Sequence, residues 1–372
     1  MTVRLEIDLK RLEENVRYEI QLLGQHGVSL MGVNKVFNGS VETVKTLMRA
    51  GVRSIAEARI ENLKKLAHLP VQKCLIRSPG KSEIEDTIRF ADVSLNSEVE
   101  ILRLLSREAV RQGKVHLVLL MIDIGDLREG LWHENRDQIF QTVQEILTLP
   151  GLDIYGLGTN FNCYGTVKPS QENLERLLEL ANSINTKFQI QLPFLSGGSS
   201  TSHHLIDKGI WPQGINQLRI GGLHLFGIEY VEMKYVHGFH HSSGDVLRAT
   251  SPLYILKAEI LEINSKPTVP VGELGLNAFL QKKSFQDRGI RKRAILGFGR
   301  QDLPYENLVP VDSWVTLLGQ SSDHTLVDIE NCERALQIGD WLEFELDYTA
   351  LLYACNSPGV KKVYLESSLA NL

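Results

Sequence analysis

The stretch VHLVLLMIDIGDLREGLWHENRDQIFQTVQEILTLPGLDIYGLGT, residues 115–159, decides the fold of this chain. It contains an apolar run from Val115 to Asp123, a segment from Gln138 to Leu149 whose apolar residues recur at helical spacing, and a second apolar run from Leu152 to Thr159. A strand, a helix and a second strand in this order are typical of consecutive βα units around a parallel sheet.

The same alternation extends from residue 5 to about residue 220. Six or more βα units over this length predict an α/β fold, a closed (β/α)8 barrel of the TIM type. An open, doubly wound sheet is the alternative, because spacing in a sequence does not show whether a sheet closes. Its usual phosphate loop is missing, since no GxGxxG or GxxxxGKS/T motif follows the first strand. The other predicted elements are the strands Ser29 to Asn34, Lys73 to Arg77, Pro193 to Ser196 and Gln217 to Ile220, and the helices Val41 to Arg49, Glu98 to Arg111 and Gln171 to Lys187.

The pattern changes from about residue 247 to the C-terminus. Strands are predicted there in succession without long helices between them, which indicates a separate β-rich domain. The junction lies between Tyr230 and Ala249, and we predict a barrel domain over residues 1–240 and a β-rich domain over residues 241–372. The predicted strands of the second domain are Leu253 to Ile263, Arg293 to Phe298, Trp314 to Leu318, Leu326 to Ile329 and Trp341 to Leu346.

The composition fits two folded domains that act on a small molecule. A chain of 372 residues with 43% hydrophobic content is long enough for two cores. The formal net charge of -5, without any basic block, argues against partners such as nucleic acid or an anionic membrane. The N-terminus lacks an apolar signal segment, and no stretch approaches the roughly 18 apolar residues of a membrane helix, so we expect a cytoplasmic protein.

Neither the cysteines nor the histidines predict a metal site. The four cysteines are scattered without CxxC spacing, which argues against a disulfide framework and against a thiolate zinc site. His237, His240 and His241 lie close together, but the Gly- and Ser-rich loop around them offers no fixed ligand geometry. We therefore expect no bound metal.

Five groups of chemically useful residues end or follow predicted strands. In a parallel barrel every strand delivers its C-terminal residues to one face, so these groups collect there. A lysine at the end of a buried strand has a lowered pKa and can form a Schiff base, which together with an arginine downstream suggests an aldehyde cofactor. Such a lysine is also typical of a strand end whose long side chain reaches water. The five groups are Lys35, Asp123 to Arg128, Thr159 to Phe161, Ser196 to Thr201 and Arg219 to Gly222.

The turn Gly197-Gly198-Ser199-Ser200 has the composition of a phosphate clamp. Glycine-rich turns that lead into a helix offer backbone N–H groups to a phosphate, and the serines can add hydroxyls. The same turn also fits an ordinary βα connection with a serine N-cap.

With these residues the chain resembles the fold-type III pyridoxal-phosphate enzymes of the alanine racemase superfamily, and most of all their amino-acid and ornithine racemase branch. The likeness spans nearly the whole chain. Lys35 matches the family's Schiff-base lysine on the first barrel strand, although its surroundings read Asn-Lys-Val-Phe-Asn-Gly instead of Lys-Ala-Asn-Ala-Tyr-Gly-His. Arg219 before Gly221 matches the arginine that faces the pyridine nitrogen. Because a guanidinium only donates hydrogen bonds, that nitrogen stays unprotonated.

The resemblance implies pyridoxal 5'-phosphate as the cofactor and names further residues that bind it. Gly221 and Gly222 resemble the backbone donors to its phosphate, and Ser199 or Ser200 resembles the phosphate-binding hydroxyl. Tyr348 resembles the tyrosine that reaches the phosphate from the C-terminal domain.

Arg128 is similar to the family arginine near the phenolic oxygen of the cofactor, although a surface arginine at the start of a helix has the same spacing. Asn160 stands where a histidine commonly stacks on the cofactor ring, so a polar contact replaces an aromatic face. Met121 stands where the family often carries a modified lysine, so that the charge of this lysine is missing.

The most consequential departure is Leu274, which stands where alanine racemase has a second catalytic tyrosine, supplied by the partner subunit. Leucine cannot move a proton. Asp323 and His324 lie in the segment that in the family enters the partner's active site, and histidine has a pKa suited to acid–base catalysis at neutral pH. Both residues also fit a simple cap of a strand turn. The resemblance implies a homodimer whose β-rich domain contributes to the partner's active site.

The implied activity is the interconversion of L- and D-amino acids by a Schiff base and two-base proton transfer at Cα. Ornithine, lysine and alanine-like substrates stay open, because spacing does not decide which acidic residue faces the site: Asp126, Glu129, Glu273 or Asp323. An amino-acid decarboxylase is one alternative, although such enzymes carry a cysteine where this chain has Ser322. A non-catalytic pyridoxal-phosphate carrier is another, although carriers resemble the barrel alone.

Overall fold

The chain forms two compact units in a computed structural model that describes residues 1–242 and 251–366. One unit comprises residues 11–239, and the other comprises residues 1–10 together with the described residues from His240 onward. Residues 1–10 are part of the barrel domain in the prediction from the sequence. They belong instead to the β-rich unit, because β1 (Val3–Asp8) pairs with two of its strands. The last part of the predicted junction, from residue 243 to Ala249, lies outside the described residues.

Eight parallel strands close into a barrel in the first unit. Each pairs with its neighbours in the order β2, β3, β4, β5, β6, β8, β9 and β10, and β10 pairs in turn with β2. The predicted TIM-type barrel is therefore confirmed, and the open sheet is excluded. The strands of this unit are β2 (Ser29–Val33), β3 (Ser54–Glu57), β4 (Gln72–Leu75), β5 (Val93–Asn96), β6 (His116–Asp123), β7 (Leu131–Trp132), β8 (Leu152–Gly158), β9 (Phe194–Ser196), β10 (Gln217–Ile220), β11 (Ile228–Glu229) and β12 (Lys234–Tyr235).

Helices alternate with the barrel strands, as the sequence pattern predicts. Three short 3-10 helices, Lys35–Phe37, Lys81–Glu83 and Ser200–Ser202, lie in the connections. The α-helices are α1 (Leu9–Gly24), α2 (Val41–Ala50), α3 (Ile60–Lys65), α4 (Ile84–Phe90), α5 (Val99–Gln112), α6 (Arg136–Thr148), α7 (Gln171–Phe188), α8 (His203–Asp207) and α9 (Gly222–Phe226).

The continuous apolar run of β6 has a direct cause in the packing. Val118, Leu120 and Ile122 point outward and join the core between the barrel and its helices. Leu119 and Met121 point inward and join the core within the barrel. A strand of a parallel barrel is buried on both faces and therefore carries apolar residues at every position.

The second unit is built mainly from antiparallel strands, which confirms the predicted β-rich domain. The described residues of this unit also include the helix α10 (Tyr348–Asn356), which the strand pattern did not predict. Asp347 begins this helix, because its side chain accepts a hydrogen bond from the backbone N–H of Ala350 at 2.7 Å. The remaining strands are β13 (Tyr254–Pro267), β14 (Ile290–Leu296), β15 (Leu308–Pro310), β16 (Thr316–Gln320), β17 (Thr325–Asp328), β18 (Trp341–Leu346) and β19 (Lys361–Leu365).

The connection between β13 and β14, residues 268–289, contains neither a helix nor a strand. It exposes several large apolar side chains, which is unusual for a surface that faces only water. They are Val271, Leu274, Leu276, Leu280 and Phe285. Across the described ranges, no helix has the length and hydrophobicity that a membrane span requires.

Candidate active site

The C-terminal ends of the barrel strands bring the predicted residues of the first unit to one edge. Lys35 follows β2, Asn160 follows β8 and Arg219 lies within β10, next to β2 in the sheet. The connection after β6 adds Arg128 and Glu129. Neighbouring strands in a closed barrel thus place residues that are far apart in sequence within reach of one another.

Lys35 begins the short 3-10 helix directly after β2. Its side chain is exposed in the described chain, whereas the residues on either side, Asn34 and Val36, are buried. The sequence left open a buried amine in a low dielectric and a long side chain that reaches water. The structure agrees with the second: the backbone is anchored and the side chain faces solvent at the open edge of the barrel. The amine is therefore accessible to a carbonyl compound.

Arg219 is the most completely buried cation at this edge, with 4% of its surface exposed. Nη2 donates to the backbone oxygen of Thr159 at 2.6 Å and to Oδ1 of Asn160 at 2.8 Å, and Nη1 donates to the hydroxyl of Ser196. Burial lowers the pKa of Arg219 to about 10, so it remains protonated at neutral pH. A fixed positive donor is thus built into the barrel wall.

A chain of hydrogen bonds leads from Arg219 to Arg128. Asn160 accepts from Arg219 with its side-chain oxygen, and its amide nitrogen donates to the Glu129 carboxylate. Both oxygens of Glu129 accept from Arg128. Burial alone would lower the pKa of Arg128, but the hydrogen bond and charge of Glu129 outweigh it and raise the pKa. Since arginine never accepts a hydrogen bond, the partners fix which way the amide of Asn160 points.

Gly158 makes room for Arg219 at the end of β8. A Cβ atom at this position would lie 3.0 Å from Sδ of Met121 and 3.2 Å from Nη1 of Arg219. Both distances are shorter than ordinary van der Waals contacts, so a side chain here would displace the guanidinium. The absence of a side chain at this position is therefore part of the site.

The serines and glycines predicted to hold a phosphate come together after β9 and β10. Ser200 accepts at 3.2 Å from the backbone N–H of Leu223, the residue after Gly222. Ser199 shares a hydrogen bond of 3.2 Å with the hydroxyl of Thr201. Gly221 caps the start of α9, so the first N–H groups of that helix have no acceptor within the helix itself.

Asp126, one of four carboxylates considered for binding the substrate, is engaged with the loop that follows β8. It is buried, and its carboxylate accepts from the backbone N–H groups of Cys163 at 3.1 Å, Tyr164 at 3.1 Å and Val167 at 3.3 Å. Both oxygens of the carboxylate accept from backbone N–H groups of the loop that follows β8. Asp126 therefore organises the loop from inside the protein.

Asp323 and His324 lie in the turn between β16 and β17 of the second unit. Asp323 accepts from the hydroxyls of Ser321 at 3.0 Å and Ser322 at 3.2 Å, which lower the pKa of its carboxyl. Nδ1 of His324 lies 3.5 Å from Oδ1 of Asp323. The two residues close a strand turn, and the structure leaves Asp323 exposed and His324 half-buried.

The remaining predicted residues also belong to the second unit. Tyr348 is half-buried at the first position of α10. Leu274 and Glu273 are exposed on the connection between β13 and β14. No group of three or more His, Cys, Asp or Glu side chains that could hold a metal ion occurs in residues 1–242 and 251–366.

Two acidic residues of the first unit were not assigned a position in the site from sequence. Glu129, considered only as a possible contact to substrate, joins Arg128 to Asn160. Glu57, at the end of β3, is fully buried beneath the turn that carries Lys35. Each also contacts an asparagine that follows a different barrel strand, Asn160 for Glu129 and Asn34 for Glu57. For Glu57 the one available signal was a charged residue at a strand end.

Known proteins that are similar to this chain support this architecture, and the similarity covers nearly the whole chain. Residues 7–229 match the family model described as alanine racemase, N-terminal domain. An ornithine racemase of Acetoanaerobium sticklandii is 38% identical over 98% of this chain and 100% of its own length. A lysine racemase of Thermotoga maritima is 35% identical over 97% of this chain and 98% of its own length.

Solved structures share the fold at low sequence identity. An alanine racemase of Clostridium difficile superimposes with a TM-score of 0.73 at 18% identity, covering 99% of this chain and 97% of the other. A D-threonine aldolase of Filomicrobium marinum superimposes with a TM-score of 0.67 at 15% identity, covering 95% and 88%. At such identities the likeness concerns the fold alone, and the fold hosts more than one reaction.

Two findings support the same family. The chain is 38% and 35% identical to two racemases over nearly its whole length, and its residues 7–229 match the family model. The family predicted from the sequence is confirmed, and with it the enzyme class, a racemase. This chain belongs to the alanine racemase N-terminal domain family.

Proposed function

We propose that this protein is a pyridoxal 5'-phosphate-dependent racemase that interconverts the L and D forms of a basic amino acid, ornithine or lysine. The observation that carries the proposal is the similarity to an ornithine racemase and to a lysine racemase over nearly the whole length of all three chains. Similarity confined to the barrel would leave the second unit unexplained. Here the second unit is matched as well.

The residues at the barrel edge fit the chemistry of this cofactor, which carries a phosphate, a phenolic oxygen, a ring nitrogen and an aldehyde. Lys35 and Arg128 are close enough that both charges act on the Cys163 thiol, and Arg219 adds a third cation. Three positive side chains suit an anionic molecule. Lys35 would hold the aldehyde carbon through Nζ, Arg219 would donate to the ring nitrogen, and Arg128 would lie at the phenolic oxygen.

The phosphate would be held between the two connections that follow β9 and β10. Ser199, Ser200, Gly221 and Gly222 supply hydroxyls and backbone N–H groups there. Asn160 would contact the ring from the side while its amide keeps Arg219 in place. Tyr348 is proposed as a phosphate contact from the second unit.

Pyridoxal phosphate, when bound, supplies the electron-withdrawing system that makes the Cα–H bond of an amino acid acidic. The protein's own groups then direct the proton. Lys35 would remove or return it on one face of Cα, and His324, aided by Asp323, would do so on the opposite face. Arg219 remains charged, so it would donate to the ring nitrogen and leave that atom unprotonated.

A homodimer completes this proposal, because the second acid–base group would come from another subunit. The exposed apolar side chains of residues 268–289 support an interface on the second unit. Glu273 and Asp323, also on that unit, are the carboxylates left to bind the side-chain ammonium group of ornithine or lysine in the partner.

The test is chiral chromatography of reactions that contain the full-length protein, pyridoxal phosphate and single enantiomers of ornithine, lysine or alanine. We expect equal amounts of both enantiomers of ornithine or lysine at equilibrium, and no conversion by the Lys35→Ala variant. Release of CO2 would replace the proposal with a decarboxylase. Cofactor binding without any change of substrate would replace it with a carrier.

A further inference from the structure

A buried carboxylate supports the turn that carries Lys35. Glu57, the last residue of β3, exposes 0% of its surface. One of its oxygens accepts from Nδ2 of Asn34 at 2.9 Å, and the other accepts from Nδ2 of Asn62 at 3.1 Å. Within the described ranges no lysine or arginine forms an ion pair with Glu57. The amide donors and the charge of Lys65 oppose the cost of burying its ionised form.

Both ends of the Lys35 turn depend on this carboxylate. Asn34 directly precedes Lys35, and its side-chain oxygen accepts from the hydroxyl of Thr43 at 2.7 Å. At the other end, the backbone N–H of Gly39 also interacts with Glu57. The amide of Asn34 is therefore fixed by one acceptor and one donor, and the residues on both sides of Lys35 are tied to the same carboxyl group.

The rest of the turn leaves little room for another conformation. Asn38 and Gly39 have positive φ angles of 52° and 71°. A Cβ atom on Gly39 would lie 2.7 Å from Cβ of Asn62. The ammonium group of Lys65 donates to the backbone oxygen of Asn38 at 2.8 Å and to Oδ1 of Asn62 at 3.0 Å. The turn is thus packed against α3 through the same residue, Asn62, that donates to Glu57.

The type of side chain at position 57 matters for this arrangement. Two amide N–H donors require two acceptor oxygens on one planar group, and a carboxylate provides them. Glutamine has the same shape but replaces one acceptor with a donor, so it must lose one bond or reverse an amide. A buried donor left without a partner is unfavourable, so this change favours another conformation of the turn.

We propose that Glu57 is a positioning residue that holds the Lys35 backbone in the conformation required for cofactor attachment, acting through Asn34 and Gly39. This inference rests on the proposed function of Lys35. Glu57 does not touch the cofactor or the substrate. It holds the backbone of Lys35, from which the exposed side chain extends, at a fixed point of the barrel edge.

The experiment compares the full-length wild-type protein with Glu57→Gln and with Glu61→Gln, an exposed glutamate on the adjacent helix α3. Pyridoxal phosphate is titrated at pH 8, the adduct is reduced with borohydride, and the fraction of Lys35 modified is measured by peptide mass spectrometry. Circular dichroism reports whether each variant is folded. We expect wild-type affinity for Glu61→Gln and an affinity at least about tenfold weaker for Glu57→Gln.

A second variant, Thr43→Val, covers the case in which Glu57→Gln does not fold. It removes the hydroxyl that donates to Asn34 and keeps the shape of the side chain. We expect it to weaken modification of Lys35 in the same direction by a smaller factor. Folded Glu57→Gln with an affinity within about twofold of wild type would overturn the inference, whatever its stability. If Glu57→Gln does not fold, unchanged affinity of Thr43→Val would overturn it.

The same measurement separates this inference from the proposed function. If Lys35 of the wild-type protein is not modified at all, the proposed function fails and this inference fails with it. If Lys35 is modified equally in the wild type and in folded Glu57→Gln, only the inference fails.

Discussion

Oδ1 of Asn160 lies 2.8 Å from Nη2 of Arg219, and the amide nitrogen of the same asparagine donates to Glu129. An amide is suited to this position because it carries one acceptor and one donor side by side. It links Arg219, which is buried in the barrel wall, to Glu129 in the connection after β6. The position of Arg219 is therefore set by neighbours on two strands, and small changes beside it have measurable effects.

Replacement of Gly158 by alanine tests how tightly Arg219 is held. The added Cβ would lie 3.2 Å from Nη1, so the guanidinium must shift by a few tenths of an ångström. We expect kcat to fall by about tenfold or more, because misplacement of a group that contacts the cofactor has large effects. Gly24→Ala is the matched control, since no atom lies within 4 Å of its Cβ position. Equal activity of the two variants would show that Arg219 tolerates displacement.

Replacement of Asp126 by asparagine tests the loop that follows β8. Asn162 and Thr166 in this loop have positive φ angles of 56° and 53°, and the Asp126 carboxylate binds the N–H groups between them. Loss of one acceptor oxygen costs about 1–3 kcal/mol and should loosen the loop. Exposed Cys163 should then react several-fold faster with iodoacetamide. The control is Asp153→Asn, an exposed change on β8, which should leave the reaction rate of Cys163 unchanged. If Asp126→Asn also left this rate unchanged, Asp126 would not hold the loop in place.

The charge of Glu57 should make stability depend on pH. Burial raises the pKa of Glu57 from 4.5 to about 7, although hydrogen bonds from Asn62 and Asn34, the charge of Lys65 and the N–H of Gly39 oppose the rise. The folded protein therefore holds this proton more tightly than the unfolded chain. The resulting stability is fully present below about pH 4.5 and is lost as the pH rises through about 7.

Urea unfolding at a series of pH values measures this contribution. Between pH 5 and pH 8 the free energy of unfolding of the wild type should fall relative to that of Glu57→Gln, by no more than about 3 kcal/mol. Parallel curves for the two proteins would mean that Glu57 has an ordinary pKa.

His324→Gln tests the proposed second acid–base group. The side chain is half-buried and the turn is held by backbone atoms, with the N–H of Ser321 donating to the carbonyl oxygen of His324 at 2.9 Å, so folding should be unaffected. We expect α-proton exchange to stop for one enantiomer and to continue for the other, because Lys35 still serves its own face of Cα. His68→Gln, a surface change on the barrel unit, is the control. Continued exchange of both enantiomers would remove His324 from the mechanism.

Much of the fold can be predicted from the spacing of apolar residues within short segments of the sequence. The strand Gln217–Ile220 and the strand Trp341–Leu346 occur with the predicted bounds. The strands Ser54–Glu57 and Val93–Asn96 were not predicted, and their length and polar content do not explain this, because Gln217–Ile220 has the same length and also contains polar residues. The sequence did not show that β1 belongs to the second unit, because the strand with which it pairs lies more than 240 residues away.

The site was less predictable than the fold. Strand ends indicated where Lys35 and Arg219 lie, since parallel strands deliver their ends to one edge. The exposure of the Lys35 side chain was one of two interpretations. The contacts of Glu129 and Glu57 were not predictable, because they depend on which side chains lie close together in the folded barrel. Such pairing is a property of the closed barrel and leaves no trace in local sequence.

The most direct test of the central claim is α-proton exchange followed by NMR, with the full-length protein and pyridoxal phosphate in D2O and single enantiomers of ornithine and lysine, and chiral analysis of the same samples. We predict loss of the Cα–H signal together with inversion of configuration for at least one of these substrates. Exchange with retention would mean that no second acid–base group replaces the missing tyrosine, and no exchange with either substrate would contradict the proposal of a racemase for basic amino acids.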